Sequence, residues 1–260
     1  MITTTLFDLS GKVALITGSS RGIGRAIAEA MADHGARVVV SSRKADACDA
    51  VVGAIAGRGG EAIAIPCNVS HKQQLQDLVE ETMRRWQRID ILVCNAAVNP
   101  YYGPLAGIGD DAYDKIMGTN VRSNLWLCNM AIPQMAERGD GSVIIISSIA
   151  AMIGSPKLGV YGLSKAADLA LARNLAVEWG ARNVRVNCLC PGIIRTDFAR
   201  ALWENPEILA EATRIYALKR IGEPEEVAGA AVFLASRAGS FVTGQAIVID
   251  GGATIYGGAA

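Results

Sequence analysis

Lys12-Val-Ala-Leu-Ile-Thr-Gly-Ser-Ser-Arg-Gly-Ile-Gly-Arg-Ala-Ile-Ala-Glu-Ala-Met-Ala32 is the stretch on which the fold turns. Lys12 to Thr17 is a short β-like run, Gly18-Ser-Ser-Arg-Gly-Ile-Gly24 follows, and Arg25 to Ala32 reads as a helix. Strand, glycine turn and helix in that order form a phosphate cradle. Glycine lets the backbone approach a ligand, and the first N–H groups of a helix are free to bind an anion. The candidate contacts are Gly18, Ser20, Arg21, Gly22, Ile23 and Gly24. The spacing is G-x-x-x-G-x-G, not the commoner G-x-G-x-x-G. A tight strand-to-helix connection needs glycine in any case, so the turn does not settle function by itself.

The same alternation continues outward. Strand-like runs fall at 13–17, 37–42, 62–67, 89–94, 142–147, 184–190 and 245–250; helix-like stretches fall near 23–34, 44–57, 71–87, 110–137, 160–180 and 224–236. Strands separated by helices predict an α/β fold, a parallel sheet covered on both faces. No repeat, low-complexity linker or second-domain boundary interrupts residues 1–260, so one domain is expected. The one long connection is 193–222, with Trp203-Glu-Asn-Pro206 and Leu218-Lys-Arg-Ile-Gly222. Insertions of that length are usually functional lids or flexible segments.

Val143-Ile-Ile-Ile-Ser-Ser148 reads as a buried strand ending in a hydroxyl, at the carboxyl end where open α/β sheets place ligands. Further on, Tyr161-Gly-Leu-Ser-Lys165 sets a phenol and an ammonium one helical turn apart on one face. An ammonium beside a phenol favours phenolate and draws its pKa down from about 10. That suits Tyr161 to giving and taking a proton near neutral pH. The same spacing occurs by chance in many helices as a solvated pair, and the partners elsewhere in the chain give this one its weight.

Taken in order, Thr17-Gly18-x-x-x-Gly22-x-Gly24, Cys94-Asn95-Ala96-Ala97, Asn120, Ser148, Tyr161-x-x-x-Lys165 and Pro191-Gly192 resemble the motifs of the short-chain dehydrogenase/reductase family, over about residues 8–254. The resemblance implies a single-domain Rossmann fold with a seven-stranded parallel sheet and a substrate loop at 193–222. It implies hydride exchange between a nicotinamide and a carbonyl or alcohol carbon. Tyr161 would handle the proton and Ser148 the reacting oxygen. Lys165 would lower the Tyr161 pKa and bind the nicotinamide ribose. Asn120 would open its helix locally and hold a water in the proton path, although alone it reads equally as a polar helix residue. Asn95, Ala96 and Ala97 would serve structure and the cofactor pocket, with Ala97 where the family more often has glycine. Asn68-Val69 would lie near the adenine, where Asp-Val is usual. Pro191, Gly192, Ile194 and Thr196 would line the nicotinamide side, although Pro-Gly is ordinarily just a turn.

Within the family, Asn95-Ala-Ala-Val-Asn-Pro100, Ser148-Ile-Ala-Ala and Arg185-Val-Asn-Cys-Leu-Cys-Pro-Gly192 are most similar to NADP-dependent carbonyl reductases acting on ketones and retinal-like or dicarbonyl substrates. The 3-oxoacyl-carrier-protein reductases are similar almost as widely. A carrier protein would favour a basic mouth, and Arg195, Arg200, Arg214, Lys219 and Arg220 lie in the long loop, diluted by Asp197, Glu204, Glu207 and Glu211. A catalytically silent NADP-binding regulator is the alternative of another class, against which all four catalytic positions are intact.

Cofactor choice is read at the second strand. An NAD site usually places a carboxylate at its end, about 20 residues past the glycine turn. Here the strand ends Val38-Val-Val-Ser-Ser-Arg43, with no carboxylate before Asp46. Ser42 and Arg43 offer a hydroxyl and a guanidinium fork to a 2′-phosphate, with Arg21 expected from the other side. NADP(H) follows, unless Arg43 only starts a surface helix.

Composition narrows the remaining classes. Twenty-five basic and 25 acidic residues cancel, so no global field recruits nucleic acid or an anionic membrane. No apolar run reaches the ~18–20 residues of a membrane span. The start, Met1-Ile-Thr-Thr-Thr-Leu-Phe-Asp8, lacks signal-peptide character, and Gly257-Gly-Ala-Ala260 carries no retrieval or peroxisomal signal. A cytoplasmic location is expected. Six cysteines are scattered without C-x-x-C, and the two histidines are His34 and His71, so no metal site is expected. Helices 110–137 and 160–180 carry Leu125, Trp126, Leu127, Leu169, Leu171, Leu175 and Val177 on more than one face. Such helices must be buried twice, which together with the resemblance predicts a homotetramer, a dimer being the alternative.

Overall fold

Val13–Thr17 forms β1, and in the computed structural model, which describes residues 6–256, all five of its residues are buried. A strand covered on both faces reads as an unbroken apolar run. There follow α1 (Gly22–Asp33), β2 (Arg37–Ser41), α2 (Ala45–Ala56), β3 (Glu61–Ala64), α3 (Lys72–Trp86), β4 (Ile91–Cys94) and α4 (Asp110–Met117). A π-helical turn (Gly118–Arg122) leads into α5 (Ser123–Arg138), β5 (Gly141–Ile146), α6 (Gly159–Trp179) and β6 (Val184–Pro191). Then come α7 (Arg200–Trp203), α8 (Pro206–Thr213), α9 (Pro224–Ala235) and β7 (Ala246–Ile249).

The strands pair in the order β3-β2-β1-β4-β5-β6-β7, every pair parallel. Successive side chains point to opposite faces, which makes two cores. Ala14, Ile16, Val38 and Val93 pack with Ile27, Met31, Val51 and Val232 from α1, α2 and α9. Leu15, Val39, Leu92 and Ile145 pack with Leu75, Leu78, Met135 and Leu175 from α3, α5 and α6. Each buried Val, Leu, Ile or Met side chain among them contributes about 1.5–3 kcal/mol. The chain winds outward from β1 to β3, returns to β4 beside β1 and winds the other way. That reversal opens a crevice at the carboxyl ends of β1 and β4, where open α/β sheets bind ligands. The expected α/β class, Rossmann topology and seven strands are all present.

Some boundaries differ from the sequence reading. The run at 62–67 is assigned to β3 only to Ala64, although Ile65 and Cys67 still donate to the Val40 and Ser42 carbonyls; Pro66 between them would turn its missing N–H to the open edge of β3, where proline costs no ladder bond. The run at 89–94 becomes strand at Ile91, because the Asp90 carboxylate accepts the Val13 N–H at 2.9 Å and holds the Arg88 guanidinium. The helix expected at 110–137 is divided by the π turn that contains Asn120. The segment 193–222 is clasped at its neck, where Arg195 N–H donates to the Gly222 carbonyl (2.9 Å) and Gly222 N–H to Ile193 (3.0 Å). Just beyond it Glu223 and Glu226 cap α9, and hydrogen bonds from Arg220 hold the Glu226 carboxyl down at about 2.

Among the described residues all six cysteines are free and buried, no three His, Cys, Asp or Glu cluster as a metal site, and no helix is long and apolar enough to cross a membrane. The terminal readings at 1–5 and 257–260 lie outside the described residues.

Candidate active site

The glycine turn is built by close approach. Gly18 and Gly22 adopt φ of +65° and +55°, the left-handed region that favours glycine. A Cβ on Gly24 would lie 2.4 Å from Asn95 Nδ2 and 2.5 Å from the Gly18 oxygen, and one on Gly22 would meet Thr196 Cγ2 at 3.1 Å. Asn95 Nδ2 donates to the carbonyls of Thr17 (2.9 Å) and Gly18 (3.0 Å), while the Asn95 and Ala96 N–H groups donate to Thr17 Oγ1. Ser19 Oγ donates to Ile16 and accepts the Ser41 N–H at 2.8 Å. The turn is thus braced from both neighbouring strands. The first turn of α1 has no side-chain cap and no acidic residue, so its N–H groups remain available to an anion. These features fit a dinucleotide pyrophosphate. Ser20 and Ile23 are half-buried in the same turn.

The 2′-phosphate candidates separate in space. Arg43 is exposed and forms no ion pair among the described residues; Ser42 Oγ lies 3.2 Å from Cys48 Sγ. Arg21, expected at the phosphate from the other side, is exposed in the glycine turn. Its guanidinium turns to Asp197 of the 193–222 segment at 3.4 Å, a carboxylate that hydrogen bonds from Arg200 hold below its usual range. Asn68 Oδ1 takes the Ser70 N–H at 3.2 Å, leaving its amide N–H groups as donors. Val69 packs on the sheet. Pro191 closes β6 beyond its last pair with β5, where a missing N–H breaks no ladder. Gly192 N–H continues to Ile249 at 2.9 Å, Ile194 is buried, and half-buried Thr196 faces Gly22. Ala97 is half-buried beyond β4.

Strand β5 and helix α6 assemble the reactive groups. Ser147 Oγ donates to the Lys165 carbonyl (2.8 Å), and Lys165 Nζ donates back to the Ile146 carbonyl (2.8 Å). Lys165 is only 2% exposed, with Nζ 5.8 Å from the Tyr161 ring centroid. This is no solvated pair. Burial alone would lower the Lys165 pKa, but Asp168 at 3.2 Å and Tyr161 outweigh it and hold the ammonium above its usual value. Burial pushes the Asp168 carboxyl up against the pull of Lys165 and Asn124, in ion-pair geometry. Ser148 Oγ accepts the Ala150 N–H at 3.1 Å, so its own proton is available to a substrate oxygen. Phe198, from the long segment, brings its ring to 6.1 Å from that of Tyr161.

Asn120 is fully buried. Its side chain clasps Val98 through both backbone groups (2.9 and 3.0 Å) and donates to Ser164 Oγ. Its carbonyl accepts from Asn124 Nδ2 at 2.7 Å, and the same amide nitrogen donates to Asp168 Oδ1 at 3.0 Å. Asn120 therefore reaches Lys165 through side chains that sequence reasoning passed over. The available signal was Asp168 itself, a carboxylate in the apolar run Ala166-Ala-Asp-Leu-Ala170, three residues from Lys165. Thr17 and Ser19 were also missed as braces, as was Phe198 as a neighbour of Tyr161.

The chain resembles known proteins along nearly its whole length. A family model described as enoyl-(acyl carrier protein) reductase matches residues 18–254. Dehydrogenase/reductase SDR family member 4 of Bos taurus is 45% identical over 244 residues, 94% of this chain and 88% of that protein. A solved 7 alpha-hydroxysteroid dehydrogenase, complexed with NADH and 7-oxo glycochenodeoxycholic acid, matches with a TM-score of 0.92 at 36% identity over 97% of this chain and 98% of that one. A gluconate 5-dehydrogenase from Burkholderia cenocepacia, in complex with NADP and tartrate, matches with a TM-score of 0.92 at 31% identity over 96% and 98%.

Proposed function

The chain belongs to the short-chain dehydrogenase/reductase family, and from that premise we propose that it is an NADP(H)-dependent oxidoreductase acting on a small ketone, aldehyde or secondary alcohol. One observation carries the reading: the Lys165 ammonium, fixed to the end of β5 beside Tyr161, at the carboxyl end of the sheet that also holds the glycine turn. The cofactor, when bound, supplies the hydride in reduction and accepts it in oxidation. The glycine turn would hold its pyrophosphate, Ser42 and Arg43 its 2′-phosphate, Asn68 and Val69 the adenine side, and Ala97, Pro191, Gly192, Ile194 and Thr196 the nicotinamide side.

The protein's own part is proton management and orientation. Ser148 donates its free O–H to the substrate oxygen and fixes it. Tyr161 gives that oxygen a proton in reduction and takes it back in oxidation. Lys165 presents a cation beside the phenol, and its remaining N–H is available to the nicotinamide ribose. Asn120 anchors the opened helix and the far end of the network that reaches Lys165. Segment 193–222 is the substrate loop, placing Phe198 against Tyr161 at the mouth.

The loop argues for a free carbonyl over a carrier-bound acyl group. Arg195, Arg200 and Arg220 are paired with Glu223, Asp197 and Glu226, which leaves only Arg214 and Lys219 without an ion pair among the described residues of the segment. A panel of free ketones and aldehydes against acyl-thioesters, each with NADPH, tests this. Turnover of the free carbonyls is expected. A preference for thioesters transfers the chain to the carrier-protein-linked reductases, and no turnover of either makes it a cofactor-binding regulator.

Assembly follows from the helices. Leu127 and Leu175 are buried within the subunit, whereas Leu125, Leu163 and Val177 are 40%, 55% and 86% exposed on the outer faces of α5 and α6. Apolar side chains on those faces need a second partner. A homotetramer is expected by light scattering at micromolar concentration, and a monomer there would refute it.

A further inference from the structure

We propose that Asp168 is a positioning residue: tied to Asn124, it holds the Lys165 ammonium in place beside Tyr161 and links it to the opened helix at Asn120. The proposal rests on the catalytic reading above and extends it to residues outside the motif set. Lys165 and Asp168 stand three apart on α6, and i,i+3 residues share a helix face. That face is buried, with side-chain exposures of 3% and 0%. An ammonium has three donors. One goes to Ile146 and one to Asp168, which leaves a single N–H unassigned.

Both ends of the network are closed. Asp168 Oδ2 takes Lys165 and Oδ1 takes Asn124; Asn124 Nδ2 places its two N–H groups on Asp168 and on the Asn120 carbonyl. Neither carboxylate oxygen lacks a donor, as a buried charge requires. Asn120 and Asn124 flank the junction of the π turn with α5, so the network fixes Lys165 against the one irregular turn in that helix.

Among the described residues no other charge faces the pair. The groups packed around it are Tyr161 on α6, Cys94 on β4, Cys128 on α5, and Cys188 and Cys190 on β6. The Cys188 thiol lies 3.4 Å from the Asp168 carbonyl. A hydrogen bond with Cys128 raises the Cys94 thiol, and burial raises Cys188 and carries Cys190 up to about 11. Asp168 is therefore the counter-charge that opposes burial at Lys165. Without it, burial favours the neutral amine, and the cation is lost at lower pH.

The test compares wild type, Asp168→Asn and Asp168→Glu. In Asp168→Asn, the alkaline limb of kcat/KM for NADPH-dependent carbonyl reduction is expected to move at least about one pH unit toward acid. NADPH affinity, read by fluorescence titration, should fall off at correspondingly lower pH, and Asp168→Glu should restore part of both. A purely structural residue would lower stability and leave both profiles in place. A folded Asp168→Asn protein with wild-type profiles overturns the proposal. If Asp168→Asn does not fold, the melting temperatures of Asp168→Leu, Lys165→Met and the double variant decide. The double variant should melt above Asp168→Leu, because it no longer strands a buried cation; additive losses overturn the link. If wild type turns over no carbonyl, the catalytic reading fails, while the NADPH titration and the double variant still decide whether Asp168 holds Lys165.

Discussion

Replacing Tyr161 with phenylalanine is expected to lower kcat for carbonyl reduction at least ~100-fold, the low end of what a positioned proton donor contributes. The substitution is unusually clean in this chain. The ring that approaches Phe198 and the Lys165 ammonium is retained. Helix α6 is stitched at this point through the Tyr161 backbone carbonyl, which accepts from Ser164 Oγ at 2.7 Å. The phenolic oxygen has no hydrogen-bond partner among the described residues. Its removal therefore leaves the internal network whole, and the melting temperature should barely move. Steady-state kinetics with the best free carbonyl, alongside a melting curve, provide the check. A folded Tyr161→Phe protein keeping more than a tenth of wild-type kcat would remove Tyr161 from the chemistry.

The fold was legible because its signals are local. The apolar run Val13–Thr17, the glycine turn and the apolar face of α1 together specify a strand, a crevice and a helix within about twenty residues. Where chemistry at one position overrode periodicity, the reading slipped by a few residues, as at Asp90. The site was legible in part. Spacing put Tyr161 and Lys165 on one face, but spacing is blind to depth, so a buried ammonium and a solvated one read alike. The π turn was invisible to periodicity, since one extra residue per turn leaves the composition of 110–137 unchanged, and only the resemblance expected the helix to open at Asn120. The contact Arg21 makes was hidden for a different reason. Its partner Asp197 lies 176 residues away, and only the folded chain brings the 193–222 segment to the glycine turn. Asp168 reads as an ordinary polar helix residue until Asn124 and Lys165 close around it.

Cofactor preference should turn on Arg43. Family membership does not decide it, because one structural neighbour is complexed with NADH and another with NADP. The decision falls to the residues after β2, where no carboxylate repels a 2′-phosphate and an exposed guanidinium forms no ion pair among the described residues. A fork not committed to a neighbouring carboxylate can meet a phosphate without first breaking an ion pair. Losing one charge-assisted contact costs about 1.5–3 kcal/mol, so Arg43→Ala should weaken NADPH binding on the order of 10- to 100-fold. NADH, which lacks the phosphate, should bind as before. Arg21→Ala is expected to cost less, because the Arg21 guanidinium is already engaged by Asp197. Fluorescence titrations of both cofactors against wild type and the two variants give the ratios directly. Equal losses for NADPH and NADH in Arg43→Ala would show that Arg43 supports the pocket without reading the phosphate. A higher wild-type kcat/KM with NADH than with NADPH would overturn the NADP assignment while leaving the family and the Tyr161 chemistry untouched.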